Sequence, residues 1–386
     1  MNREKIIRIT TVPISLEKLL SGQLRFMSSF YDVIAVAAEK DNLEKLGKNL
    51  DVPVFHLEMT RKITPIQDII AVVKLFLFLK KTKPLIVHSH TPKAGIVGML
   101  ASKLAGVPYR LHTVAGLPLL EARGAKRKIL DVVEKFTYAC ANRVYPNSFG
   151  LKEIIIENNF CKSSKLKVLA NGSSNGIDTS YFNSELFSAN QNLNLKNELG
   201  ILPDDFVFIF VGRLVRDKGI NEMVLAFVLL QKENAKIKLL LVGDYENDLD
   251  PLSSATVDRI NTNDSIFAVG FKNDVRPYFA ISDTLVFPSY REGFPNVVMQ
   301  AGAMNLPCIV SDINGCNEII IEKENGFIIP VKNDLAIFEA MKKILSNTLL
   351  TTKMKTNSRA MIVSRYEQKV VWDAILSEYR TFDPRL

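Results

Sequence analysis

Short apolar runs alternate with longer amphipathic stretches through the first half of the chain. The runs are rich in β-branched residues, which is typical of buried strands, and the stretches repeat apolar residues with the period of a helix. The predicted strands are KIIRITT (5–11), DVIAVAA (32–38), PLIVHSH (84–90), YRLHTV (109–114) and NRVYPNS (142–148). The predicted helices are PIQDIIAVVKLFLFLKK (65–81), KAGIVGMLASKLAG (93–106) and RKILDVVEKFTYACA (127–141).

The same pattern restarts after a stretch rich in Gly, Ser and Asn (169–183) and a polar segment (188–200). Such a change of composition is typical of a boundary between domains. The predicted strands of the second half are FVFIFVGRL (206–214), IKLLLVGD (237–244), DTLVFPS (283–289), PCIVSD (307–312) and GFIIP (326–330). The predicted helices are INEMVLAFVLLQKE (220–233), NVVMQAGAM (296–304) and a helical tail from about Asp334 to Tyr379.

Alternating strands and helices predict βαβ units around a parallel sheet. A chain of 386 residues is too long for one ordinary core and suits two domains. We therefore expect an α/β protein with two facing, doubly wound, Rossmann-like domains (1–180 and 181–366). We expect the last helix (about 367–386) to pack back on the first domain. A ligand would lie at the carboxyl ends of the strands, in the cleft between the domains.

The composition predicts a globular protein in a reducing compartment. Hydrophobic residues make up 47% of the chain, which provides ample apolar surface for two cores. The start of the chain has no apolar leader, and the stretch 69–81 is interrupted by Lys74, so neither a secretory signal nor a membrane span is expected. We expect the protein in the cytoplasm. Its four cysteines form no C-x-x-C pair and are expected to be reduced thiols: Cys140, Cys161, Cys308 and Cys316.

The net charge of +8 is unevenly distributed. Residues 1–180 carry 27 Lys and Arg against 15 Asp and Glu, a net charge of +12, whereas residues 181–386 carry 22 against 26, a net charge of −4. A basic first half indicates an anionic partner, such as nucleic acid, an acidic membrane surface or a phosphate-bearing substrate. The basic residues are not interleaved with aromatic ones, which disfavours nucleic acid.

The segment VGRLVRDKG (211–219) is a candidate anion site. Its predicted strand ends at Gly212, its loop carries Arg213, Arg216 and Lys218, and a helix is predicted to follow. Cations beside a helix N-terminus suit a pyrophosphate, since arginine binds phosphate oxygens in a bidentate way and lysine supplies a movable charge. The segment is neither a Walker A nor a G-x-G-x-x-G motif, so a solvated loop with incidental cations remains the alternative.

The segment FPSYREGFPN (287–296) turns from a predicted strand into a predicted helix, with Pro295 in its first turn. The amides of Gly293, Phe294, Asn296 and Val297 would lie at the positive end of that helix. Glu292 would repel phosphates there, so it either accepts hydrogen bonds from sugar hydroxyls or is an ordinary turn residue. Gln300 is predicted one turn into the helix, and a solvated glutamine is the alternative interpretation of it.

Polar residues also end predicted strands of the first domain. The segment VHSHTPKAG (87–95) carries His88 and His90, and RLHTVAGLP (110–118) carries His112 and Thr113. An H-x-H pair binds zinc only with further ligands, and no third ligand has a suitable spacing, so no metal site is expected. The segment ISLEKLLSGQLRFM (14–27) forms either an acceptor loop around Ser21, Gly22 and Gln23 or a capped helix start.

Taken together, these segments resemble the retaining glycosyltransferases of family 4, which have the GT-B fold of two Rossmann-like domains. The resemblance runs from end to end. It rests on NG…NGID at 171–178, VGRLVRDKG, LLLVGDYE, FAVGFKNDV and PSYREGFPNVVMQAGAM in this order. It implies a nucleotide-sugar donor bound on the second domain. A UDP-sugar that carries an N-acetylhexosamine is the donor we expect, and the sequence leaves the base (uracil or guanine) and the sugar open.

The resemblance also assigns roles to single residues. Glu292 matches the first acid of the E-x7-E motif, which binds donor-sugar hydroxyls, whereas Gln300 stands where the second acid typically binds ribose. An amide still accepts from a hydroxyl but loses charge assistance, about 1 kcal/mol, so we expect altered donor affinity and not inactivity. His112, Arg213, Lys218 and Glu292 are implied to be catalytic. Further implied donor-binding residues are Gly212, Gly270, Phe271, Gly293, Phe294, Pro295, Asn296 and Val297.

The segments SHTPKAGIVGMLASKLAGVPYRLHTVAGLP (89–118) and REGFPNVVMQAGAM (291–304) are also similar to enzymes that extend polyprenyl-diphosphate-linked sugars. That similarity implies a lipid-linked saccharide acceptor in surface polysaccharide or glycan synthesis, at the anionic inner leaflet of the cytoplasmic membrane, with neither metal nor cofactor. The implied acceptor-binding residues are Ser21, Gly22, Gln23, Thr91, Lys93 and Thr113. The alternatives are an epimerase or hydrolase of nucleotide sugars with the same fold, and a non-catalytic nucleotide-sugar-binding subunit.

Overall fold

The computed structural model describes residues 3–20, 22–60, 62–117, 119, 122–246, 248 and 250–383. The chain divides into two compact units. The first unit contains residues 1–176 and 368–386, and the second contains residues 177–367. The helix at the end of the chain therefore belongs to the first unit.

The first unit is built on a parallel sheet of six strands in the order β3-β2-β1-β4-β5-β6. Its inner strands are mostly buried and rich in apolar residues, although β1, β4 and β5 also bury Arg8, His88 and His112. The strands are β1 (Lys5–Ile9), β2 (Asp32–Ala37), β3 (Val54–His56), β4 (Ile86–Ser89), β5 (Tyr109–Val114) and β6 (Arg143–Pro146). The helices are α1 (Pro13–Leu20), α2 (Gln23–Ser28), α3 (Lys40–Leu50), α4 (Pro65–Thr82), α5 (Pro92–Ala105), α6 (Gly124–Cys140) and α7 (Phe149–Glu157).

The second unit repeats this topology, with the strand order β12-β11-β10-β7-β8-β9. The predicted doubly wound α/β architecture is therefore confirmed in each unit. The strands are β7 (Phe206–Val211), β8 (Ile237–Val242), β9 (Ile266–Ala268), β10 (Thr284–Phe287), β11 (Cys308–Ser311) and β12 (Gly326–Ile329). The helices are α8 (Ala189–Leu199), α9 (Ile220–Gln231), α10 (Ser254–Thr262), α11 (Arg276–Ala280), α12 (Asn296–Ala303), α13 (Cys316–Ile319), α14 (Asp334–Ser346) and α15 (Thr348–Tyr366), followed by α16 (Gln368–Arg380) of the first unit.

The sequence pattern missed two strands, β3 and β9. Each has three residues and lies at an edge of its sheet. An edge strand has one neighbour and a partly solvated face, so a short one carries no continuous apolar run and no regular alternation. The inner strands, which have four to six residues, were all predicted because burial on both faces favours β-branched and apolar residues.

Two layers of helices cover the first unit's sheet. Helices α4, α5 and α6 bury their inward residues in one core, and α5 packs between the other two. Helices α1, α2 and α3 contribute to the core on the opposite face, which α16 completes with Val371, Ile375 and Tyr379. The last helix is thus held by apolar burial, the main source of stability for a docked helix.

Gly219 fixes the approach of two loops in the second unit. Its φ of +71° lies in the left-handed region, and a Cβ at this position would lie 2.2 Å from the carbonyl oxygen of Pro288. Pro288 follows β10, and Gly219 immediately precedes α9. Because a residue with a Cβ would collide with a backbone atom that has little room to move, only glycine permits this contact.

We predict that Gly219→Ala destabilises the protein more than Gly200→Ala does. Gly200 has nearly the same φ, +73°, but a Cβ at Gly200 would have no atom within 4 Å. The free energy of unfolding should fall by about 1 kcal/mol in both variants, because alanine is strained in the left-handed region. In Gly219→Ala it should fall by about 2 kcal/mol more because of the clash. Urea unfolding of both variants measures the difference. Equal losses would show that the Pro288 contact imposes no constraint.

Candidate functional site

The candidate residues lie at the switch points of the two sheets. In the second unit, β7 has β8 on one side and β10 on the other, so the loops after β7 and β10 leave in opposite directions from neighbouring strands. In the first unit β1 and β4 are related in the same way. Ligands of open α/β sheets bind in the crevice at the carboxyl ends of such strands.

Lys218 and Glu292 form an ion pair at the switch point of the second unit, and both side chains are largely buried. Lys218 ends a short 3-10 turn after β7, and Glu292 follows β10. The hydroxyl of Ser289 donates to Glu292 Oε1 over 3.0 Å. The amide of Tyr290 donates to the carbonyl of Asp217 over 2.8 Å. The two predicted motifs, far apart in sequence, are therefore joined through side chains and backbone.

Arg213 lies beside a cavity of about 430 Å³ at the ends of β7 and β8. Its guanidinium forms an ion pair with Glu246 while half of the side chain remains exposed. Gly270 has a φ of +70° and precedes Phe271, whose amide donates to Asp244 Oδ1 over 2.9 Å. The lining of the cavity includes Gly212, Arg213, Tyr245, Glu246, Phe271 and Lys272.

Arg216 is turned toward Asp250, with 3.1 Å between Nε and Oδ1, and is two-thirds exposed. It does not line the cavity beside Arg213. Of the three cations that the loop carries, the structure therefore brings Arg213 to the cavity and Lys218 to Glu292, and it leaves Arg216 at the surface.

Helix α12 begins at Asn296, and Pro295 is its N-cap. The prediction that Pro295 lies inside the first turn was therefore wrong by one position, because its ψ of 111° is extended. The amides of Asn296 and Val297 lie in the first turn, where a helix offers backbone N–H groups no carbonyl of its own as acceptor. Phe294 packs its ring against Tyr366, with 5.4 Å between the ring centroids.

Asn314 holds the turn before α12. Its side-chain amide donates to the carbonyls of Glu292 and Gly293 over 2.7 and 3.0 Å. The next residue, Gly315, has a φ of +78°, and a Cβ there would lie 2.6 Å from the carbonyl oxygen of Gly293. The loop after β11 thus fixes the backbone of the turn that carries Glu292.

Gln300 lies one turn into α12 and is half-buried. Within the part of the chain that the structure describes, its side-chain amide has no hydrogen-bond partner. An amide in this state retains both its donor and its acceptor capacity for a ligand.

His112 is buried in the first unit, at the end of β5. Its Nδ1 lies 2.8 Å from the hydroxyl of Ser89, and its ring packs against the α carbon of Gly95, where a Cβ would approach within 2.6 Å. Burial lowers the pKa of His112 to about 4, so the imidazole is neutral at pH 7. The structure thus provides a neutral, oriented ring and not an imidazolium.

His88 and His90 lie on the opposite face of the same sheet. His88 Nδ1 lies 2.5 Å from the Tyr379 hydroxyl, and Nε2 lies 2.8 Å from the Thr113 hydroxyl. His90 Nε2 accepts from Nε of the fully buried Arg8 over 2.9 Å. Burial first, and then neighbouring groups that include Arg8, hold the pKa of both histidines well below the ordinary range.

Two further acceptor candidates also make internal contacts. The Thr91 hydroxyl lies 2.7 Å from that of Thr11, which joins the loops after β4 and β1 at the switch point. Lys93 pairs with Asp68 of α4 at 2.5 Å. Thr91 is half-buried and stays a candidate, as does Thr113, which is buried but lies at the end of β5.

Of the two interpretations of the segment 14–27, the structure shows a helix start, because Gly22 is the N-cap of α2 and Gln23 is its first residue. Gln23 is fully buried, and its side-chain amide donates to Ser174 and Asn175 and accepts from Arg8. Gly22 packs against Trp372 of α16. The Gln23 side chain is therefore not available to an acceptor, because the core of its own unit uses it. Ser21 lies outside the described residues.

Sequence reasoning missed several residues of the arrangement. Ser289 and Asn314 position the Glu292 turn, and Glu246 pairs with Arg213. The segment LLLVGDYE signals the loop that carries Glu246, but no pattern indicates the partner of its carboxylate. Asn314 gives no signal, since it contacts backbone atoms of a turn more than twenty positions earlier.

The described residues contain no group of three or more His, Cys, Asp or Glu side chains that could hold a metal ion. None of their helices combines the length and the apolar character needed to cross a bilayer. The four cysteines are free thiols.

Two family profiles match the chain. A profile described as "Glycosyl transferases group 1" matches residues 191–361, and one described as "Glycosyl transferase 4-like domain" matches residues 24–172. The chain is 32% identical to the capsular polysaccharide biosynthesis glycosyltransferase CapM of Staphylococcus aureus, over 99% of this chain and 98% of that protein.

Two further relatives are similar over most of the chain. The UDP-Gal:alpha-D-GlcNAc-diphosphoundecaprenol alpha-1,3-galactosyltransferase of Escherichia coli is 31% identical, over 80% of this chain and 78% of that protein. The N,N'-diacetylbacillosaminyl-diphospho-undecaprenol alpha-1,3-N-acetylgalactosaminyltransferase of Campylobacter jejuni is 25% identical, over 90% and 91%. The crystal structure of Anabaena HepE with UDP has the same fold, with a TM-score of 0.80, 17% identity and coverage of 98% of this chain and 100% of that one.

The buried histidines predict that the protein loses stability in mild acid. The pKa of His112 falls from 6.5 to about 4 on folding, so between these values the unfolded chain binds more protons than the folded one. The free energy of unfolding therefore decreases as the pH falls through this window, by about 2 kcal/mol for His112 between pH 7 and 5.

Urea unfolding from pH 7 to pH 5 measures this effect. His112→Gln should be less stable than the wild type at pH 7 but should show a weaker dependence on pH. His56→Gln is the matched control, because His56 is the partly exposed histidine that pairs with Glu58, and it should keep the wild-type dependence. An unchanged dependence in His112→Gln would contradict the prediction.

Proposed function

The chain belongs to the group 1 glycosyl transferases, and from that premise we propose that it is a retaining enzyme that transfers an N-acetylhexosamine from a UDP-sugar to a polyprenyl-diphosphate-linked saccharide. Its glycosyltransferase activity and its relationship to enzymes of capsule and polysaccharide synthesis follow from the family and from CapM. The observation that carries the proposal is the pairing of Lys218 with Glu292 beside the N-terminus of α12.

The donor binds to the second unit in this proposal. Lys218 and Arg213 neutralise the diphosphate together with the first-turn amides of α12, while Glu292 accepts hydrogen bonds from the sugar. Because Lys218 and Glu292 touch, the bond between sugar and phosphate lies at this pair. The nucleoside occupies the cavity near Phe271, and Gln300 contacts the ribose. A uridine nucleotide is supported by the Escherichia coli relative, which is named as a UDP-Gal-dependent transferase, and by the HepE structure, which is a complex with UDP.

The reaction retains the anomeric configuration. The bond between the anomeric carbon and the diphosphate oxygen breaks, the acceptor hydroxyl attacks from the same face, and its proton passes to the departing diphosphate. The positive charges of Arg213 and Lys218 stabilise the charge that develops on the leaving group. Neutral His112 orients the donor as a hydrogen-bonding group. Since two side-chain cations neutralise the diphosphate, we propose that transfer is independent of metal.

The acceptor belongs to the first unit, where Thr91, Lys93 and Thr113 are the candidate contacts. The names of the Escherichia coli and Campylobacter relatives support an undecaprenyl-diphosphate-linked acceptor. The net charge of +12 over residues 1–180 supports peripheral binding at the anionic inner leaflet of the cytoplasmic membrane, where each nearby cation contributes about 1 kcal/mol.

A transfer assay tests the proposal. The protein is incubated with UDP-GlcNAc or UDP-GalNAc and a short-chain polyprenyl-diphosphate-linked sugar, with and without EDTA, and the product is examined by NMR. We expect an α-linked product from an α-linked donor, equally with EDTA. Donor consumption without an acceptor would indicate an epimerase or hydrolase, and donor binding without any product would indicate a binding subunit. A thermal-shift screen of UDP- and GDP-sugars tests the base separately.

We predict that Arg213→Ala lowers kcat far more than it weakens donor binding. Removing a cation that stabilises charge in the transition state costs about 100-fold in turnover, because the charge on the diphosphate grows as the sugar leaves. Steady-state kinetics and UDP-sugar titrations measure both quantities. Arg216→Ala is the matched control, since it removes the same residue type from the same loop at a position paired with Asp250. If kcat and donor affinity fell by the same factor, Arg213 would contribute only to binding of the ground state.

We predict that Gln300→Glu raises donor affinity about fivefold, because a carboxylate forms a stronger hydrogen bond with a ribose hydroxyl than an amide does. The effect should appear in the donor KM and leave kcat within a factor of two or so. Gln231→Glu, a partly buried glutamine at the end of α9, controls for the added charge. A donor KM identical to that of the wild type would remove the ribose assignment.

A further inference from the structure

Helix α4 exposes an apolar stripe on the side that faces away from the sheet. Its inward side is also apolar and packs into the core through Ala71, Leu75 and Leu79. The outward stripe recurs every three to four positions, so its members share one side of the helix. They are between 49% and 77% exposed: Ile66, Ile69, Ile70, Val73 and Leu77.

Helix α6 carries a second stripe of the same kind. Ile129, Val132 and Phe136 are exposed at spacings of three and four, while Thr137, Tyr138 and Cys140 face inward. Both helices cover the same face of the sheet and have α5 between them. The two stripes therefore belong to one side of the first unit, which we call the outer face. Contiguous exposed apolar residues on a protein surface indicate an interaction site.

Exposed lysines flank both stripes. Lys74, Lys80 and Lys81 lie on α4, and Lys126 and Lys128 lie on α6. Among the described residues, none of these five forms an ion pair with a carboxylate. An apolar surface bordered by lysines that have no carboxylate partner matches an anionic bilayer interface, where apolar side chains enter the acyl boundary and lysines meet lipid phosphates.

The acidic side chains of the two helices do not oppose this arrangement. Asp68 is engaged by Lys93 of α5 at 2.5 Å, and Asp131 by Arg127 at 2.6 Å. Glu134 is buried, and burial raises its pKa. The free charge on the outer face is therefore positive, so negative lipid headgroups are attracted without a competing repulsion.

We propose that the outer face is a membrane-docking surface on which α4 and α6 lie in the plane of a bilayer rich in anionic lipid. A second copy of this chain fits less well, since a symmetric contact would place lysines against lysines. This inference rests on the proposed lipid-linked acceptor for its purpose, and it assigns to named residues the membrane contact that the overall charge only suggested.

Vesicle co-sedimentation with the full-length protein tests the proposal. We expect binding to vesicles of phosphatidylcholine with about 30% phosphatidylglycerol, and weak binding to phosphatidylcholine alone. The triple variant Ile66→Ser, Ile69→Ser, Val73→Ser keeps the charge and should lower partitioning at least about tenfold. The triple variant Lys74→Gln, Lys80→Gln, Lys81→Gln keeps the stripe and should lose most of the dependence on anionic lipid.

Matched controls lie on other surfaces. Leu335→Ser changes a leucine of α14 that is 64% exposed, and Lys232→Gln changes a lysine just after α9. Both should bind vesicles as the wild type does. Circular dichroism of all variants verifies that they are folded. A triple variant that is not folded is replaced by variants that carry its three substitutions one at a time.

Three results would overturn the proposal. They are a wild-type protein that does not bind anionic vesicles, stripe variants that bind like the wild type, and a self-association in solution that the stripe variants abolish while vesicle binding persists. Transfer to a water-soluble short-chain acceptor without vesicles separates this from the proposed function. The stripe variants should retain full activity in this assay. An inactive wild type would contradict the proposed function, and the docking surface would then be tested by the vesicle experiment alone.

Discussion

In each unit, the loops that follow two neighbouring parallel strands leave the sheet in opposite directions. Polar side chains lie in the gap between these two loops. Parallel pairing of β7 with β10 brings Lys218 next to Glu292, 74 positions further along the chain. The equivalent pairing of β1 with β4 brings Thr11 next to Thr91. Most other positions in the two sheets are apolar and covered, so this constraint decides where chemistry is possible.

Each cation of the proposed donor site is compensated by a carboxylate. Lys218 and Arg213 each have a carboxylate partner, Glu292 and Glu246 respectively. These ion pairs hold the two cations in place, and each positive charge is balanced by a carboxylate. In the proposed donor complex the diphosphate takes over these cations, and Glu292 turns to sugar hydroxyls. This proposed exchange accounts for an acid beside a phosphate site, because Lys218 would lie next to both anionic groups and offset their mutual repulsion.

The first unit separates two kinds of surface. Its switch point is polar and leads into a buried network in which Arg8, His88, Gln23 and Tyr379 connect the sheet to α2 and α16. Its outer face, on α4 and α6, is apolar and cationic. A buried arginine without a carboxylate partner among the described residues depends on neutral neighbours. Burial first, and then nearby charges that include this arginine, keep the pKa values of the adjacent histidines low.

The sequence by itself determined the alternation of elements, the inner strands, the two-unit architecture and the loops that carry Arg213, Lys218 and Glu292. These follow from local pattern, since burial on two faces demands continuous apolar runs and strand ends admit polar residues. Only the tertiary structure decided which side chains meet. In the structure Gln23 is buried in the core and Arg216 pairs with Asp250 at the surface. Asn314 contacts the turn that carries Glu292, and Glu246 pairs with Arg213. Contacts of this kind depend on the packing of distant segments, and no local periodicity records them.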